Sequence, residues 1–181
     1  MSGFMELAKK RRSIRRYTGE KIDRKDLDKC VEAARYSPSA CNNQPWKFII
    51  VDDPQKTLDV AKRAFSRAYK MNTFVMNASA FIVIVSEKQK LAPMLGGIAR
   101  GTDFRLIDTG IACEHIVLQA TELGIGTCIL GWFDEKGLKR LLSVPRNSKI
   151  DLVISMGPPQ QIQPAERRLK DFSSVVSYNG Y

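Results

Sequence analysis

The apolar residues of the chain fall into short continuous runs that predict buried strands. The runs are KFIIV at 47–51, AFIVIV at 80–85 and DLVISMG at 151–157. Short apolar runs of this length predict strands. A glycine-rich turn in GIGTCILGW (124–132) leads into a fourth strand. Because the segments between these strands have helical spacing, the predicted fold class is α/β or α+β.

Helices are predicted from the spacing of apolar residues and from capping residues. Asp23 is a predicted N-cap with Asp26 as a capping-box-like partner, Pro54 starts another helix, and Asp134 caps a third. Residues 4–10 predict a short N-terminal helix. The apolar faces predicted for the Asp23 and Pro54 helices are Leu27, Cys30, Val31 and Ala34, and Leu58, Ala61, Phe65 and Ala68, respectively.

Two segments differ from this simple pattern. Residues 106–123 contain 10 apolar residues in 18, spread round most of a helix. Such a helix is either buried on nearly all sides, or half-buried and covered by a partner subunit. Residues 86–105 contain Gly96, Gly97 and Gly101 and predict a loop or lid. These glycines do not follow a strand in G-x-G-x-x-G spacing, so they are no dinucleotide fingerprint.

Composition indicates one globular domain over residues 1–181, with 44% apolar residues. The longest apolar run is too short to cross a bilayer and no signal-peptide pattern is visible, so we expect no membrane association. Four cysteines share no C-x-x-C spacing, which argues against a disulfide framework or a metal site and favours a cytoplasmic protein.

The net charge of +10 predicts anionic partners, and nucleic acid remains one of them.

The densest positive charge is KKRRSIRR at 9–16, in which Arg11, Ser13 and Arg15 alternate. In an extended conformation these three side chains point the same way and could grip a phosphate through charge-assisted hydrogen bonds. The alternatives are a solvated charge run and a nucleic-acid-binding arm. We call Arg11, Ser13 and Arg15 the basic clamp.

The segment SPSACNNQPW (37–46), here called the polar loop, cannot form a regular helix or strand because prolines stand near both ends. Its backbone N–H groups, Ser39 and Asn42 could bind the heteroatom edge of a planar ligand. The alternative is a structural turn whose amide side chains satisfy nearby backbone groups. Trp46 is predicted to be a core residue.

The glycine-rich stretch and the single histidine are each open to a simpler interpretation. Gly124 and Gly126 permit a turn, and Gly131 leaves room for a flat ligand. The alternative is a helix C-terminus before a strand. His115 lies within an apolar helical stretch, and no G-x-S-x-G motif or carboxylate pair accompanies it, so we predict a structural role.

In combination, these segments resemble the nitroreductase family of FMN-dependent oxidoreductases, in its short form. The motifs that carry the resemblance are RRSIRRY, PSACNNQPWKFIIV, AFIVIV, DTGIACEHIVLQATELGIGTCILGWF and ERRLK, in this order. The resemblance implies an α+β fold with a central mixed sheet flanked by helices. It also implies a homodimer with FMN sites shared between subunits, and a C-terminal arm (166–181) that packs on the partner.

The resemblance also implies the residues that hold FMN. The phosphate is assigned to Arg11, Arg12, Ser13 and Arg15, with Arg168 closing the pocket. The other subunit is expected to contribute Pro38, Ser39, Ala40 and Asn42. Ile129, Leu130 and Gly131 are expected along the ring, and Asn72 at its pyrimidine edge.

The implied activity is electron transfer from NADH or NADPH to a small electrophilic acceptor, such as a quinone or nitroaromatic, by a ping-pong mechanism. The flavin would carry the chemistry, so no catalytic side chain is predicted. A specialised reaction of the same superfamily, flavin fragmentation or reductive dehalogenation, is one alternative. A basic nucleic-acid-binding module is the alternative from a different class. The resemblance argues against it and implies that the protein has no nucleic-acid partner.

Overall fold

A computed structural model of the chain describes residues 3–65, 72–87, 91–160 and 167–181. These residues form six α-helices, four strands and three short 3₁₀ turns. In chain order the helices and strands are α1 (Phe4–Lys10), α2 (Arg24–Arg35), β1 (Trp46–Val51), α3 (Pro54–Ala64), β2 (Ala80–Ser86), α4 (Leu91–Arg100), α5 (Phe104–Glu122), β3 (Gly126–Leu130), α6 (Glu135–Leu141) and β4 (Lys149–Gly157). The 3₁₀ turns are Ala40–Asn42, Thr73–Asn77 and Phe172–Ser174.

The four strands form one sheet in the order β1-β2-β4-β3, and the helices between them give the α+β class that was predicted. Every neighbouring pair of strands is antiparallel. The expectation of a mixed sheet is therefore wrong for these four strands. Among the described residues, the parallel component is a single bridge between Ser13 and Thr127, beside β3.

Helices cover the sheet on both faces, which explains why β2 is apolar throughout. Phe81, Val83 and Val85 join a core with residues of α3 and α6. Ile82 and Ile84 point to the opposite face and join a core with residues of α2 and α5. Because consecutive strand residues point to opposite faces, a strand between two helical layers needs apolar residues at every position.

Capping residues start the helices where the sequence predicted. The Asp23 side chain accepts from the Lys25 N–H at 2.9 Å, and the Asp134 side chain accepts from the Gly137 N–H at 2.9 Å. Helix α3 begins at Pro54, as predicted. The predicted face of α2 is confirmed, since Leu27, Cys30 and Ala34 are buried and Val31 packs beside them.

The predicted apolar face of α3 is partly wrong. Its buried side is formed by Thr57, Val60, Ala61 and Ala64. Leu58 is exposed, Phe65 follows the end of the helix in an extended conformation, and Ala68 lies outside the described residues. The helix ends earlier than the pattern implied, and small residues with a threonine form its contact surface.

Residues 91–100 form α4 where a loop or lid was predicted. The glycines within it do not break the helix. A Cβ on Gly97 would lie 2.6 Å from the carbonyl oxygen of Thr102, whereas a Cβ on Gly96 would meet no atom within 4 Å. Gly97 lies inside the helix and is explained by close packing against the turn that follows it.

Helix α5 spans 104–122 where 106–123 was predicted, and it is half-buried, while its covering by a partner subunit stays a prediction. Eight of its residues are buried, mainly along the side that faces α2 and the sheet. Its first turns leave Leu106 and Ile107 half-exposed. No helix among the described residues combines the length and the apolar character required to span a bilayer.

Candidate functional site

The backbone of the basic clamp is fixed to the start of β3. The Ile14 N–H donates to the Thr127 carbonyl at 2.8 Å, and Ser13 forms the parallel bridge to the same residue. The Ile14 side chain packs against the core. A Cβ on Gly126 would lie 2.9 Å from Ile14 Cγ2, so glycine permits this close approach.

The side chains of Ser13 and Arg15 point away from the core, because Ile14 between them points inward, whereas the Arg11 side chain is only 18% exposed. Ser13 and Arg15 are exposed. Arg15 Nη1 makes a long contact of 3.5 Å with the Ser13 carbonyl, and Arg11 Nε lies 3.9 Å from Glu114 Oε1. These contacts are weak, so the guanidinium and hydroxyl donors are available to an anionic ligand.

Arg12 occupies a different position from its neighbours. Its Nη1 donates to the Lys9 carbonyl at 2.6 Å and to the Arg11 carbonyl at 3.2 Å, at the C-terminal end of α1. Its Nε atom is buried without a hydrogen-bond partner. Arg12 therefore stabilises the end of α1 and retains one donor that a ligand could use.

Tyr17 anchors the chain that follows the clamp, a role that the sequence analysis missed. Its hydroxyl lies 2.9 Å from Ser155 Oγ and 3.1 Å from the Ser155 carbonyl, and its side chain is buried in the core. Burial raises the pKa of the Tyr17 hydroxyl well above its ordinary value, so it stays protonated. A Cβ on Gly157 would lie 2.8 Å from the Tyr17 ring, which fixes that ring against β4.

The end of β3 presents a mixed surface. Ile129 is 41% exposed, whereas the Leu130 side chain packs in the core and could offer a ligand only its backbone. A Cβ on Gly131 would meet no atom within 4 Å, so the surface beside it is open. A flat apolar ring fits beside Ile129 and Gly131.

The polar loop has an unusual backbone. Cys41, Asn42 and Gln44 have positive φ angles of 52°, 49° and 49°. Within the loop, Ser39 Oγ accepts from the Gln44 N–H at 3.0 Å. Trp46 at its end is buried, as predicted.

The loop is held against α5 by a carboxylate that the sequence analysis did not single out. The Ala40 N–H lies 3.1 Å from Asp108 Oδ1 and 3.3 Å from Oδ2. The turn at Ala40–Asn42 contacts α4 and α5, whereas the clamp is bridged to β3 and reaches α5 through the long Arg11–Glu114 contact. One chain therefore carries the two predicted halves of the site on different elements.

Two further predicted residues lie apart from the clamp. Asn72 Nδ2 donates to the Ala64 carbonyl at 3.2 Å and to the Trp132 carbonyl at 3.3 Å, so it joins the end of α3 to the residue after Gly131. Arg168 is exposed in the C-terminal arm. Among the described residues, no hydrogen bond or ion pair links it to the clamp.

The lone histidine has a local partner. His115 Nδ1 lies 2.9 Å from the Ile111 carbonyl, one helical turn earlier in α5. This contact agrees with a structural role. In the parts of the chain that the structure describes, no group of three or more His, Cys, Asp or Glu side chains could hold a metal ion.

The residues present fit the flavin mononucleotide that the resemblance implies. The clamp offers two guanidiniums and a hydroxyl, and the unpartnered buried Nε of Arg12 supplies a further donor beside it. The exposed Ile129 and the open surface at Gly131 suit a planar ring at the end of the same strand. A phosphate and a ring held at the two ends of β3 match one small phosphorylated aromatic ligand.

Comparison with known proteins identifies the family. The model of the nitroreductase family matches residues 8–158. A relative from Archaeoglobus fulgidus, whose name joins the terms NADH dehydrogenase and NAD(P)H nitroreductase, is 34% identical over 88% of this chain and 87% of its own. An iodotyrosine deiodinase from Thermotoga neapolitana is 27% identical over the full length of both chains.

Solved structures show the same fold. The FMN-dependent nitroreductase from Clostridium difficile R20291 superimposes with a TM-score of 0.80, at 28% identity, over 98% of this chain and 100% of its own.

Proposed function

The chain belongs to the nitroreductase family, and from this premise we propose that it binds FMN and passes electrons from NADH or NADPH to a small electrophilic acceptor. The protein is an oxidoreductase. The acceptor class that we propose is a quinone, a nitroaromatic or a similar compound. One binding face would serve the nucleotide and the acceptor in turn, which gives ping-pong kinetics.

The observation that carries the proposal is the attachment of the clamp to β3. The Ile14–Thr127 hydrogen bond of 2.8 Å holds the backbone between Ser13 and Arg15 beside the strand that ends in Ile129, Leu130 and Gly131. The guanidinium and hydroxyl groups of the clamp and the open surface beside Ile129 and Gly131 thereby lie on one edge of the sheet. This arrangement supports binding of a phosphate and a ring together.

The chain's own residues bind and orient the cofactor in this proposal. Arg11, Ser13 and Arg15 hold the phosphate, with Arg12 and Arg168 assisting. Ile129 and Gly131 support the ring, and Asn72 lies at its pyrimidine edge. When bound, FMN supplies the redox chemistry by accepting a hydride and passing electrons to the second substrate.

We further propose that the protein is a homodimer in which the polar loop of one subunit completes the site of the other. Leu106 and Ile107 of α5 are half-exposed, and the C-terminal arm exposes several large apolar side chains. A partner subunit would cover these surfaces. All four cysteines are free thiols, which agrees with the reducing cytoplasm that we propose as the location.

The cofactor is tested by reconstituting the protein with flavin, denaturing it and separating the released chromophore by chromatography. We expect FMN, because the clamp fits one phosphate and the chain has no Rossmann fingerprint for a second nucleotide half. The control is the same protein incubated with FAD. Release of FAD, or of no flavin, would contradict the proposal.

Reductive dehalogenation is a second candidate, favoured by the full-length similarity to the Thermotoga neapolitana deiodinase. In that reaction two electrons and a proton replace a ring-bound halogen with hydrogen and release halide. Anaerobic assays with NADH or NADPH can compare halide release from an iodophenol with reduction of a nitroaromatic. The faster reaction identifies the better acceptor class.

A further inference from the structure

The carboxyl group of Asp108 is an unusual feature of helix α5. Asp108 is only 4% exposed, and it lies on a side of α5 that is otherwise lined by small and apolar residues. Burial raises the pKa of Asp108, and the bond from the Ala40 N–H opposes that effect by favouring the carboxylate. A buried carboxylate without a partner would destabilise the fold, so its partner matters.

That partner is the backbone of the polar loop. Both Asp108 oxygens lie within hydrogen-bonding distance of the single Ala40 N–H, at 3.1 and 3.3 Å. The contact joins two elements that are 68 residues apart in the chain. It is made just before the residues with positive φ angles, at the point where the loop approaches α5.

The loop needs such an anchor because its backbone is strained. The backbones of Cys41, Asn42 and Gln44 lie in the left-handed region, which residues other than glycine adopt uncommonly. The bond from Gln44 N–H to Ser39 Oγ lies inside the loop and would not attach it to the protein body. A strained conformation persists only when surrounding contacts determine it.

We propose that Asp108 is a positioning residue, which holds the polar loop in its left-handed conformation by accepting the Ala40 N–H. This inference rests on the proposed function, in which the same loop lines the flavin site. Asp108 itself would not touch the flavin. By keeping the loop in its binding conformation before the ligand arrives, it raises the fraction of protein that is competent to bind.

The first test measures how well the conformation of the polar loop is held in flavin-free protein. Amide hydrogen exchange of residues 40–44 is measured by NMR in flavin-free protein for wild type, Asp108→Ala, Asp108→Asn and Thr109→Val. Thr109 is the matched control, since it is the next residue of α5, is 1% exposed, and its buried hydroxyl has no hydrogen-bond partner. We expect exchange to accelerate about tenfold or more in Asp108→Ala, the size expected for loss of a hydrogen bond to a charged group.

Asp108→Asn retains one oxygen acceptor and should restore most of the protection, whereas Thr109→Val should leave these amides unchanged. The dissociation constant for FMN should follow the same order. The dissociation constant should rise about tenfold or more in Asp108→Ala and stay near the wild-type value in Thr109→Val. Equal exchange in wild type and Asp108→Ala, or equal acceleration in Asp108→Ala and Thr109→Val, would overturn the proposal.

A second variant removes the donor and leaves α5 intact, which keeps the test decisive even if Asp108→Ala does not fold. Ala40→Pro lacks the N–H, and Ser39 before it already has the extended conformation that precedes proline (φ −147°, ψ 155°). We expect faster exchange at Asn42 and Gln44 and no change in the α5 amides. Unchanged exchange at both residues would also overturn the proposal. If the exchange results hold but FMN does not bind to wild type, the proposed function fails and the role of Asp108 stands.

Discussion

Neighbouring arginines of the N-terminal segment have different surroundings, although the sequence presents them as one basic run. Arg12 donates to carbonyls at the end of α1, Arg11 lies near Glu114, and Arg15 is exposed with one long contact. The difference follows from the bridge to β3, which points alternate side chains inward and outward. A residue's charge therefore says less about its function than the direction in which the backbone points it.

Arg15→Ala should weaken FMN binding. The change removes one charge-assisted hydrogen bond to the phosphate, worth roughly 1.5–3 kcal/mol, which corresponds to about a 10- to 150-fold higher dissociation constant. Turnover at saturating FMN should change much less, because the phosphate lies far from the reacting part of the ring. FMN titration monitored by fluorescence quenching, together with steady-state kinetics, measures both quantities.

Arg16→Ala is the matched control for this prediction. Arg16 is adjacent, also exposed, and outside the alternating pattern of the clamp. The Arg16→Ala variant loses the same charge as Arg15→Ala, so a general electrostatic effect would appear equally in both variants. Equal affinities of Arg15→Ala and wild type, or equal losses in both variants, would show that Arg15 makes no specific phosphate contact.

At the scale of elements, α4 shows how packing decides the meaning of a glycine. Gly96 and Gly97 are consecutive, and both lower the helix propensity of the segment. Only Gly97 is required by its surroundings, because the Thr102 carbonyl occupies the space of a Cβ. The turn after α4 leads the chain into α5. In this turn the Thr102 N–H donates to the Gly97 carbonyl at 2.9 Å.

The two glycines should respond in opposite directions to alanine. Gly96→Ala should stabilise the protein by about 0.5–1 kcal/mol, because alanine restricts the unfolded chain and no atom obstructs its Cβ. Gly97→Ala should destabilise it, because the Cβ would lie 2.6 Å from a backbone oxygen. Urea unfolding of both variants, read by circular dichroism, gives the two free energies of unfolding. A stabilising Gly97→Ala would mean that the α4–α5 turn is free to move.

At the scale of the whole molecule, the two predicted halves of the flavin site lie on different elements of one chain. The clamp is attached to β3, and the polar loop is attached to α5 through Asp108. Exposed apolar residues of α5 and of the C-terminal arm offer surfaces that a second copy could cover. A homodimer that brings the loop of one subunit to the clamp of the other would join the halves.

Complementation between inactive variants tests this shared site. One variant carries Arg11→Ala and Arg15→Ala, and the other carries Ser39→Leu and Asn42→Leu. If the site is shared, a heterodimer has one site with both lesions and one with neither. After mixing under mild denaturant and refolding, random pairing makes about half of the dimers mixed, so activity should return to roughly a quarter of wild type.

Each variant refolded alone is the control, and mass spectrometry under native conditions counts the heterodimers. If both halves of a site came from one chain, every site in the mixture would retain a lesion. Heterodimers without recovered activity would therefore show that the subunits do not share the site.

Local chemistry in the sequence determined most of the elements. Asp23, Pro54 and Asp134 start helices because capping oxygens and a fixed proline φ act within a few residues. The apolar runs at 47–51, 80–85 and 151–157 lie within β1, β2 and β4, and β2, which helices cover on both faces, is buried at every position. The family resemblance likewise rests on short motifs, and the match over residues 8–158 confirms it.

Only the tertiary structure decided the features that depend on distant partners. It made residues 91–100 a helix, because Gly97 packs against the turn that follows. It placed Arg12 at the end of α1 and Asn72 between two carbonyls. It also gave Asp108 a partner that lies 68 residues earlier in the chain. Such contacts have no local pattern, because the sequence fixes spacing along the chain while folding fixes which distant groups meet.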